Sequence, residues 1–171
     1  IYHSPETYAL GAGSKIHFAY SFSAQAVQIE VALADGSVRV LQVISANDSG
    51  KVINPLGFQG QVEGGVVMGL GHGLMEEFKV VDGVIQSDRM ARCKIPTMQD
   101  SPLVTSIVVE HPTSEGPFGA KGIGEIVSIP TPPAITNALY NAVGLRVDRL
   151  PVRAEEVLKH LRKSGKEYHI P

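Results

Sequence analysis

The sequence contains almost no cysteine and no tryptophan. Cys93 is the single cysteine among 171 residues, which excludes an internal disulfide framework and a Cys-rich zinc or iron–sulfur site. One thiol is what a reducing compartment permits, so we expect a cytoplasmic protein. The six histidines show no i, i+4 pairing and no nearby cysteine pair, so no protein-ligated metal is expected.

An excess of positive charge and a long apolar run are also missing. The 15 Lys and Arg residues meet 17 Asp and Glu residues, and a net charge of −2 gives no general attraction for nucleic acid or anionic lipid. The longest weakly polar run, Gly64 to Met75, contains five glycines and is too short to span a bilayer. We therefore expect neither a nucleic-acid partner nor a membrane partner.

The length of the chain favours one unit, 1–171, with a hydrophobic core of its own. Its ends, 1–15 and 164–171, are polar or irregular and are predicted to be frayed. Because the chain begins with Ile1 rather than Met, we also expect it to be part of a longer protein.

Two hairpins are predicted from alternation and turn dipeptides. Residues 27–33 alternate with period two, Asp35-Gly36 is a hairpin turn, and 38–44 form the returning strand. A shorter hairpin is predicted over 78–86 around Asp82-Gly83. Residues 87–102 are expected to be irregular, and 104–110 form a strand whose apolar residues on both faces indicate a central position.

Three helices complete the predicted fold. A long helix runs from Leu56 to about Glu77 with Pro55 in its first turn, and a second runs over 134–143 with Thr131 as its N-cap. A third covers 153–162 with one apolar face. The predicted class is α+β, with antiparallel hairpins packed against a long glycine-rich helix and C-terminal helices.

The glycines of the long helix require an explanation, because each costs about 1 kcal/mol relative to alanine. Two sets repeat every four residues and line faces of the helix, namely Gly60 and Gly64, and Gly65, Gly69 and Gly73. Close helix-on-sheet packing is the simpler interpretation, and approach to a ligand is the alternative. Neither this stretch nor the loop 119–124 has the spacing of a dinucleotide motif, and 11–15 lacks that of a phosphate loop.

Glu125 is the first candidate functional residue. It follows a loop of 14 residues, 111–124, and precedes Ile126 and Val127, which are expected to dehydrate it as a general base requires. The alternative is a carboxylate favoured at the start of a helix.

The segment 59–64 is the second candidate. Gln59 and Gln61 could present amides to a phosphate or a heterocycle, or form an exposed polar face. Asp48 and Asn54 are interpreted as residues that brace turns.

Five segments taken together resemble the molybdenum hydroxylases, the family of xanthine dehydrogenase and aldehyde oxidase. Their order and spacing agree from residue 20 to 161, and the segments are Asp48-x-Gly50-x-x-Ile53-Asn54-Pro55, Gly60-Gln61-Val62-Glu63-Gly64, Gly69-x-Gly71-x-x-Leu74-x-Glu76-Glu77, Lys94-Ile95-Pro96 and Gly119-Ala120-Lys121-Gly122-x-Gly124-Glu125. The resemblance implies the C-terminal half of a molybdopterin-binding domain.

The resemblance also implies roles for individual residues. Glu125 is expected to be the catalytic base, and Gln61, with Gly60 beside it, to contact the pterin. Three residues of the loop before Glu125 are expected around the active site: Lys121, Gly122 and Gly124. The reaction implied is hydroxylation of an electron-poor carbon, in an N-heterocycle such as a purine or nicotinate or in an aldehyde, with water as the oxygen source.

The implied cofactor is a molybdenum-pterin, either molybdopterin or its cytosine dinucleotide. The rest of the molybdopterin domain, the iron–sulfur clusters and FAD are expected in other domains or subunits, as in split bacterial nicotinate or purine dehydrogenases, and the chain is expected to be inactive alone. The alternative is a non-catalytic module that completes the fold and an interface of a larger molybdoenzyme.

Overall fold

A computed structural model of the chain describes residues 2–13 and 15–165. Two short 3₁₀ turns lie at Met98–Asp100 and Pro117–Gly119. The strands and helices are, in order, β1 (Phe22–Val31), β2 (Val38–Asp48), α1 (Pro55–Leu74), β3 (Val80–Val81), β4 (Val84–Ile85), α2 (Met90–Cys93), β5 (Leu103–Val109), α3 (Thr131–Val143) and α4 (Ala154–Ser164). The predicted α+β class is confirmed.

The main sheet has the order β1-β2-β5, with β1 and β2 antiparallel and β2 and β5 parallel. The predicted central position of the strand at 104–110 is therefore wrong, because β5 is at an edge and β2 is central. Apolar residues on both faces indicate a buried environment, yet Leu103, Ile107 and Val109 are exposed in this structure. The parallel pair is an addition to the two predicted hairpins, and α1 lies in the connection between β2 and β5.

Both predicted hairpins form around their Asp-Gly dipeptides. In the first, Asp35 Oδ1 accepts the Ser37 N–H at 2.9 Å and Gly36 has a φ of +78°. In the second, Asp82 and Gly83 both have positive φ, as the two-residue turn that matches strand twist requires. The local sequence thus determines both turns.

Helix α1 begins at Pro55 and ends at Leu74, three residues before the predicted end. It ends there because the Gly71 carbonyl accepts the N–H groups of both Met75 and Glu76, which turns the chain away from the helix axis. The segment 87–102, predicted to be irregular, contains α2 and a 3₁₀ turn capped by Thr97.

Asn54 is the N-cap of α1, as its turn-bracing interpretation requires. Its Oδ1 accepts the Gly57 N–H at 3.0 Å and satisfies one of the free donors of the first turn. We expect Asn54→Ala to lower the free energy of unfolding by about 1 kcal/mol, whereas Asn54→Asp retains the acceptor and most of the stability. Thermal unfolding of the full-length protein measures both, and equal losses in the two variants would contradict the capping role.

Helices α3 and α4 enclose the rest of the core. α3 begins at Thr131, three residues before the prediction, and Thr131 is not its N-cap, because its hydroxyl donates to Gln25 Oε1 at 2.7 Å. α4 buries Val157 and Leu161 on the predicted apolar face. One cluster of buried residues joins the sheet to α1 and the start of α3, and a second joins the end of α3 to α4.

The first segment of the chain, 1–15, contains neither helix nor strand in its described residues. It nevertheless contacts the long loop, because the Tyr2 hydroxyl donates to the Glu115 carbonyl at 2.6 Å. The predicted frayed end falls largely on residues 166–171, which lie outside the described residues. In the part of the chain that is described, no helix has both the length and the apolarity needed to cross a membrane.

Candidate functional site

The loop 111–124 is docked on the turn that follows β2. The Lys51 N–H donates to the Gly119 carbonyl at 3.0 Å, and the Lys121 N–H donates to the Ser49 carbonyl at 2.7 Å. Gly50 and Gly119 have φ values of +67° and +79°, a region that favours glycine. A Cβ on Gly50 would overlap the Gly119 carbonyl oxygen. The close approach of the two backbones therefore requires glycine at position 50.

The side chain of Lys121 is held in an ion pair. Its Nζ lies 2.7 Å from Asp48 Oδ2, and the two side chains are 6% and 10% exposed. Asp48 Oδ1 accepts the Gly50 N–H at 2.9 Å, which confirms the turn-bracing role of Asp48. Burial disfavours the charged carboxylate, but the hydrogen bonds from Lys121 and Gly50 and the lysine charge outweigh it and lower the pKa of Asp48. The lysine predicted to lie in a cofactor loop thus has its ammonium on a protein carboxylate.

Gln61 and the residues before Glu125 lie together. Gln61 Nε2 donates to the Gly124 carbonyl at 2.8 Å, across 63 residues of sequence. Gln61 is exposed on α1, and Gly124 is exposed at the end of the loop. The second glutamine of the segment, Gln59, instead bonds Glu63 on the same helix at 2.8 Å, as an exposed polar face does. The two candidate segments therefore meet at Gln61.

Glu125 is exposed, and this corrects the expectation that its sequence neighbours dehydrate it. Val127 is fully buried in the core, whereas Glu125 two residues earlier is exposed. The helix-start alternative is also wrong, because α3 begins only at Thr131. The main chain at Glu125 is fixed by Ser128, whose N–H and hydroxyl both donate to the Glu125 carbonyl, at 3.0 and 2.8 Å.

The two glycine faces of α1 have different surroundings. A Cβ on Gly65 would lie 2.8 Å from Val127 Cβ, and one on Gly69 would lie 2.5 Å from Thr131 Cβ. This face packs against α3 and the segment that leads into it, which confirms close packing for these glycines but corrects its predicted partner, because none of these neighbours lies in the sheet. A Cβ on Gly60 or Gly64 would meet no atom within 4 Å, and the same holds for Gly122 and Gly124. Nothing among the described residues explains that second group by packing.

Two contacts of the loop are not predicted by the sequence. The Ser21 hydroxyl donates to the Gly122 carbonyl at 2.6 Å, across 101 residues, and the Asp48–Lys121 pair spans 73 residues. No local pattern indicates such long-range pairs. Among the described residues, no group of three or more His, Cys, Asp and Glu side chains could hold a metal ion.

Solved structures of aldehyde oxidoreductases contain this fold. The chain matches the enzyme from Desulfovibrio desulfuricans ATCC 27774 with a TM-score of 0.76 and 33% identity, over 82% of this chain and 15% of that chain. It matches the Desulfovibrio gigas enzyme with a TM-score of 0.77 and 31% identity, over 83% and 15% of the two chains. The fold is therefore that of a segment of these oxidoreductases.

Curated relatives are likewise longer proteins, of which the chain matches one segment. It is 39% identical to a “Probable xanthine dehydrogenase” subunit of Bacillus subtilis (strain 168), over 87% of this chain and 20% of that protein. It is 34% identical to the aldehyde oxidoreductase molybdenum-binding subunit PaoC of Escherichia coli (strain K12), over 91% of this chain and 22% of that protein. The chain thus spans about one fifth of the length of these relatives.

A family model described as the molybdopterin cofactor-binding domain matches residues 2–102, more than half of the chain. The chain belongs to this family, within the molybdenum hydroxylases of the xanthine dehydrogenase and aldehyde oxidoreductase type. The resemblance found in the sequence is confirmed, together with the molybdenum-pterin cofactor that it implied. The loop and Glu125 lie beyond residue 102, and the roles of the individual site residues stay predictions.

Proposed function

We propose that this chain supplies the catalytic base and one wall of the cofactor site of a molybdenum hydroxylase. The reaction is hydroxylation of an electron-poor carbon, in an N-heterocycle or an aldehyde, with water as the oxygen source. The hydrogen bond from Gln61 Nε2 to the Gly124 carbonyl carries the proposal, because it joins the segment assigned to the cofactor to the residue before Glu125.

The residues present fit a large pterin ligand. Because the Gly124 carbonyl can only accept, it takes the amide nitrogen of Gln61 and leaves Oε1 available as an acceptor. The N–H groups of a pterin are suitable donors to that oxygen. The backbone at Gly60, Gly122 and Gly124 is open to a ligand, because no atom lies within 4 Å of where a Cβ would stand. Lys121 belongs to the same wall through its place in the loop.

Glu125 is proposed as the group that moves a proton. When bound, the molybdenum-pterin cofactor supplies the two-electron oxidation of the substrate carbon. A Glu125 carboxylate oxygen accepts the proton released as water-derived oxygen is transferred to that carbon. Ser128 holds the main chain at this residue, and the exposed side chain is free to face a substrate. Exclusion of water has to come from parts of the enzyme outside this chain.

The proposed partners follow from the surfaces that this chain leaves uncovered. The apolar edge strand β5 suits the remaining part of the molybdopterin-binding subunit, since the relatives are about five times longer. Iron–sulfur and FAD domains or subunits are proposed to carry the electrons away, because the chain has a single, free cysteine. The single cysteine is also the reason to place the assembly in the cytoplasm, where thiols stay reduced. We expect the chain alone to be inactive.

Metal analysis and isotope labelling of the native complex test this function. We expect molybdenum and pterin in equal amounts with the subunit that contains this chain. We also expect ¹⁸O from labelled water in the oxidised product, with xanthine, nicotinate and benzaldehyde as candidate substrates. A complex without molybdenum, or a product that takes its oxygen from O₂, would contradict the proposal.

A structural module is the second candidate. It is favoured by the packed glycine face of α1 and by the exposed apolar residues of β5, features that serve assembly rather than chemistry. Cross-linking distinguishes the two functions. A photoreactive residue at position 64 that labels the pterin supports the cofactor wall, and one that labels only protein supports the module.

A further inference from the structure

We propose that Asp48 and Lys121 are positioning residues, which hold the loop before Glu125 in the geometry that proton transfer requires. The inference rests on the proposed role of Glu125 as the base. In this proposal the Lys121 side chain anchors the loop to Asp48, and the residue also remains part of the proposed cofactor wall.

The ion pair between these two residues is buried. Lys121 Nζ and Asp48 Oδ2 are 2.7 Å apart, and the more exposed of the two side chains is 10% exposed. Taking two charges out of water costs nearly as much as their attraction returns, so such a pair contributes little net stability. What it does provide is a fixed geometry, because neither charge can leave its partner without being buried alone.

The backbone between Lys121 and Glu125 is held by few contacts of its own, since only Ile123 of its three residues packs against the core. Gly122 and Gly124 have no Cβ to restrict them, and no neighbour stands within 4 Å of where that atom would be. Three side chains from different parts of the chain anchor this short segment. They are Asp48 at Lys121, Ser21 at the Gly122 carbonyl and Gln61 at the Gly124 carbonyl, over distances of 2.6 to 2.8 Å.

Asp48 connects this segment to the sheet. It ends β2, the central strand, and its second oxygen is held by the Gly50 N–H. The ion pair therefore ties the loop to the strand that is paired on both sides. An error of 1 Å at a reacting group costs up to about 100-fold in rate, so loss of this tie is expected to appear in kcat.

The experiment uses the full molybdenum-containing complex with Asp48→Asn and Lys121→Met. We expect kcat to fall about 10- to 100-fold on the best of the three candidate substrates, with a KM within about threefold of the wild type. Molybdenum content is expected to stay unchanged. Amide hydrogen exchange is expected to speed up at Lys121, whose N–H donates to the Ser49 carbonyl, and to stay unchanged in α3, a readout that needs no turnover.

Glu110→Gln is the matched control. Glu110 also bonds a lysine, Lys51, at 2.9 Å, and it also accepts a backbone N–H, that of Val52, but its side chain is 37% exposed. Removing its charge is expected to change neither kcat nor the exchange of the Lys121 amide. If Asp48→Asn fails to assemble, Asp48→Glu tests the positioning role instead. Glutamate keeps the charge but lengthens the side chain by one methylene, and we expect the same loss of kcat.

Three results would overturn the positioning role. They are a wild-type kcat with wild-type exchange, a loss of activity that only follows lost molybdenum, and an equal loss in Glu110→Gln. Failure of the proposed function is distinguishable, because Glu125→Gln would then remain active whatever the state of the ion pair.

Discussion

Replacing Glu125 with glutamine is expected to lower kcat of the molybdenum-loaded enzyme by about 10³-fold, the loss typical of a missing general base. The amide has nearly the shape of the carboxylate and makes similar hydrogen bonds, but it cannot take up the proton. The main-chain bonds to Ser128 stay in place, because they involve only the Glu125 carbonyl. Steady-state kinetics with molybdenum and pterin analysis on the same preparation measure the effect.

Glu115→Gln is the control for this prediction. Glu115 is an exposed carboxylate of the same loop, and its side chain makes one long contact, 3.5 Å, with the Ser114 hydroxyl. We expect its replacement to leave kcat within about twofold of the wild type. Near-normal turnover in Glu125→Gln with full molybdenum content would show that another group removes the proton.

Gly69→Ala is expected to lower the free energy of unfolding by about 2 kcal/mol, although alanine is the better helix former. The new Cβ would lie 2.5 Å from Thr131 Cβ and 2.7 Å from the Ser128 carbonyl oxygen. Thr131 cannot move aside easily, because it is fully buried and its hydroxyl is bonded to Gln25. Helix α1 and the start of α3 therefore have to separate. The thermal midpoint and yield of the assembled complex report the loss.

Gly73→Ala is the matched control on the same face of α1. Its Cβ would meet the end of the Ile135 side chain at 3.4 Å and Pro132 at 3.6 Å, which are ordinary contacts. We expect a change of less than about 1 kcal/mol. If the two substitutions lower the free energy of unfolding equally, the close approach at Gly69 is not the cause. Helix propensity, or contacts with the rest of the enzyme, would then determine the stability of this face of α1.

The features that sequence predicts well here are local. Alternation and Asp-Gly turns predict both hairpins, and the spacing of Gly65, Gly69 and Gly73 predicts a packed helix face. Predicted helix ends are less accurate, because hydrogen bonds such as those to the Gly71 carbonyl determine where a helix stops.

The candidate site is only partly local. Motifs predict its residues, but the contact of Gln61 with Gly124 joins distant segments that no periodicity relates. Ile126 and Val127 predict burial of Glu125, yet residues close in sequence need not share an environment: Val127 is in the core while Glu125 is exposed.

The edge position of β5 has a consequence for biosynthesis. From Leu103 to Val109 the strand carries no charge, no proline and no bulge, the devices with which proteins keep an open edge from pairing with another chain. Under the proposal that the rest of the subunit packs on this edge, β5 is open to pairing with a second copy of the chain until that contact forms. We therefore expect the chain to self-associate when it is made without the rest of the subunit.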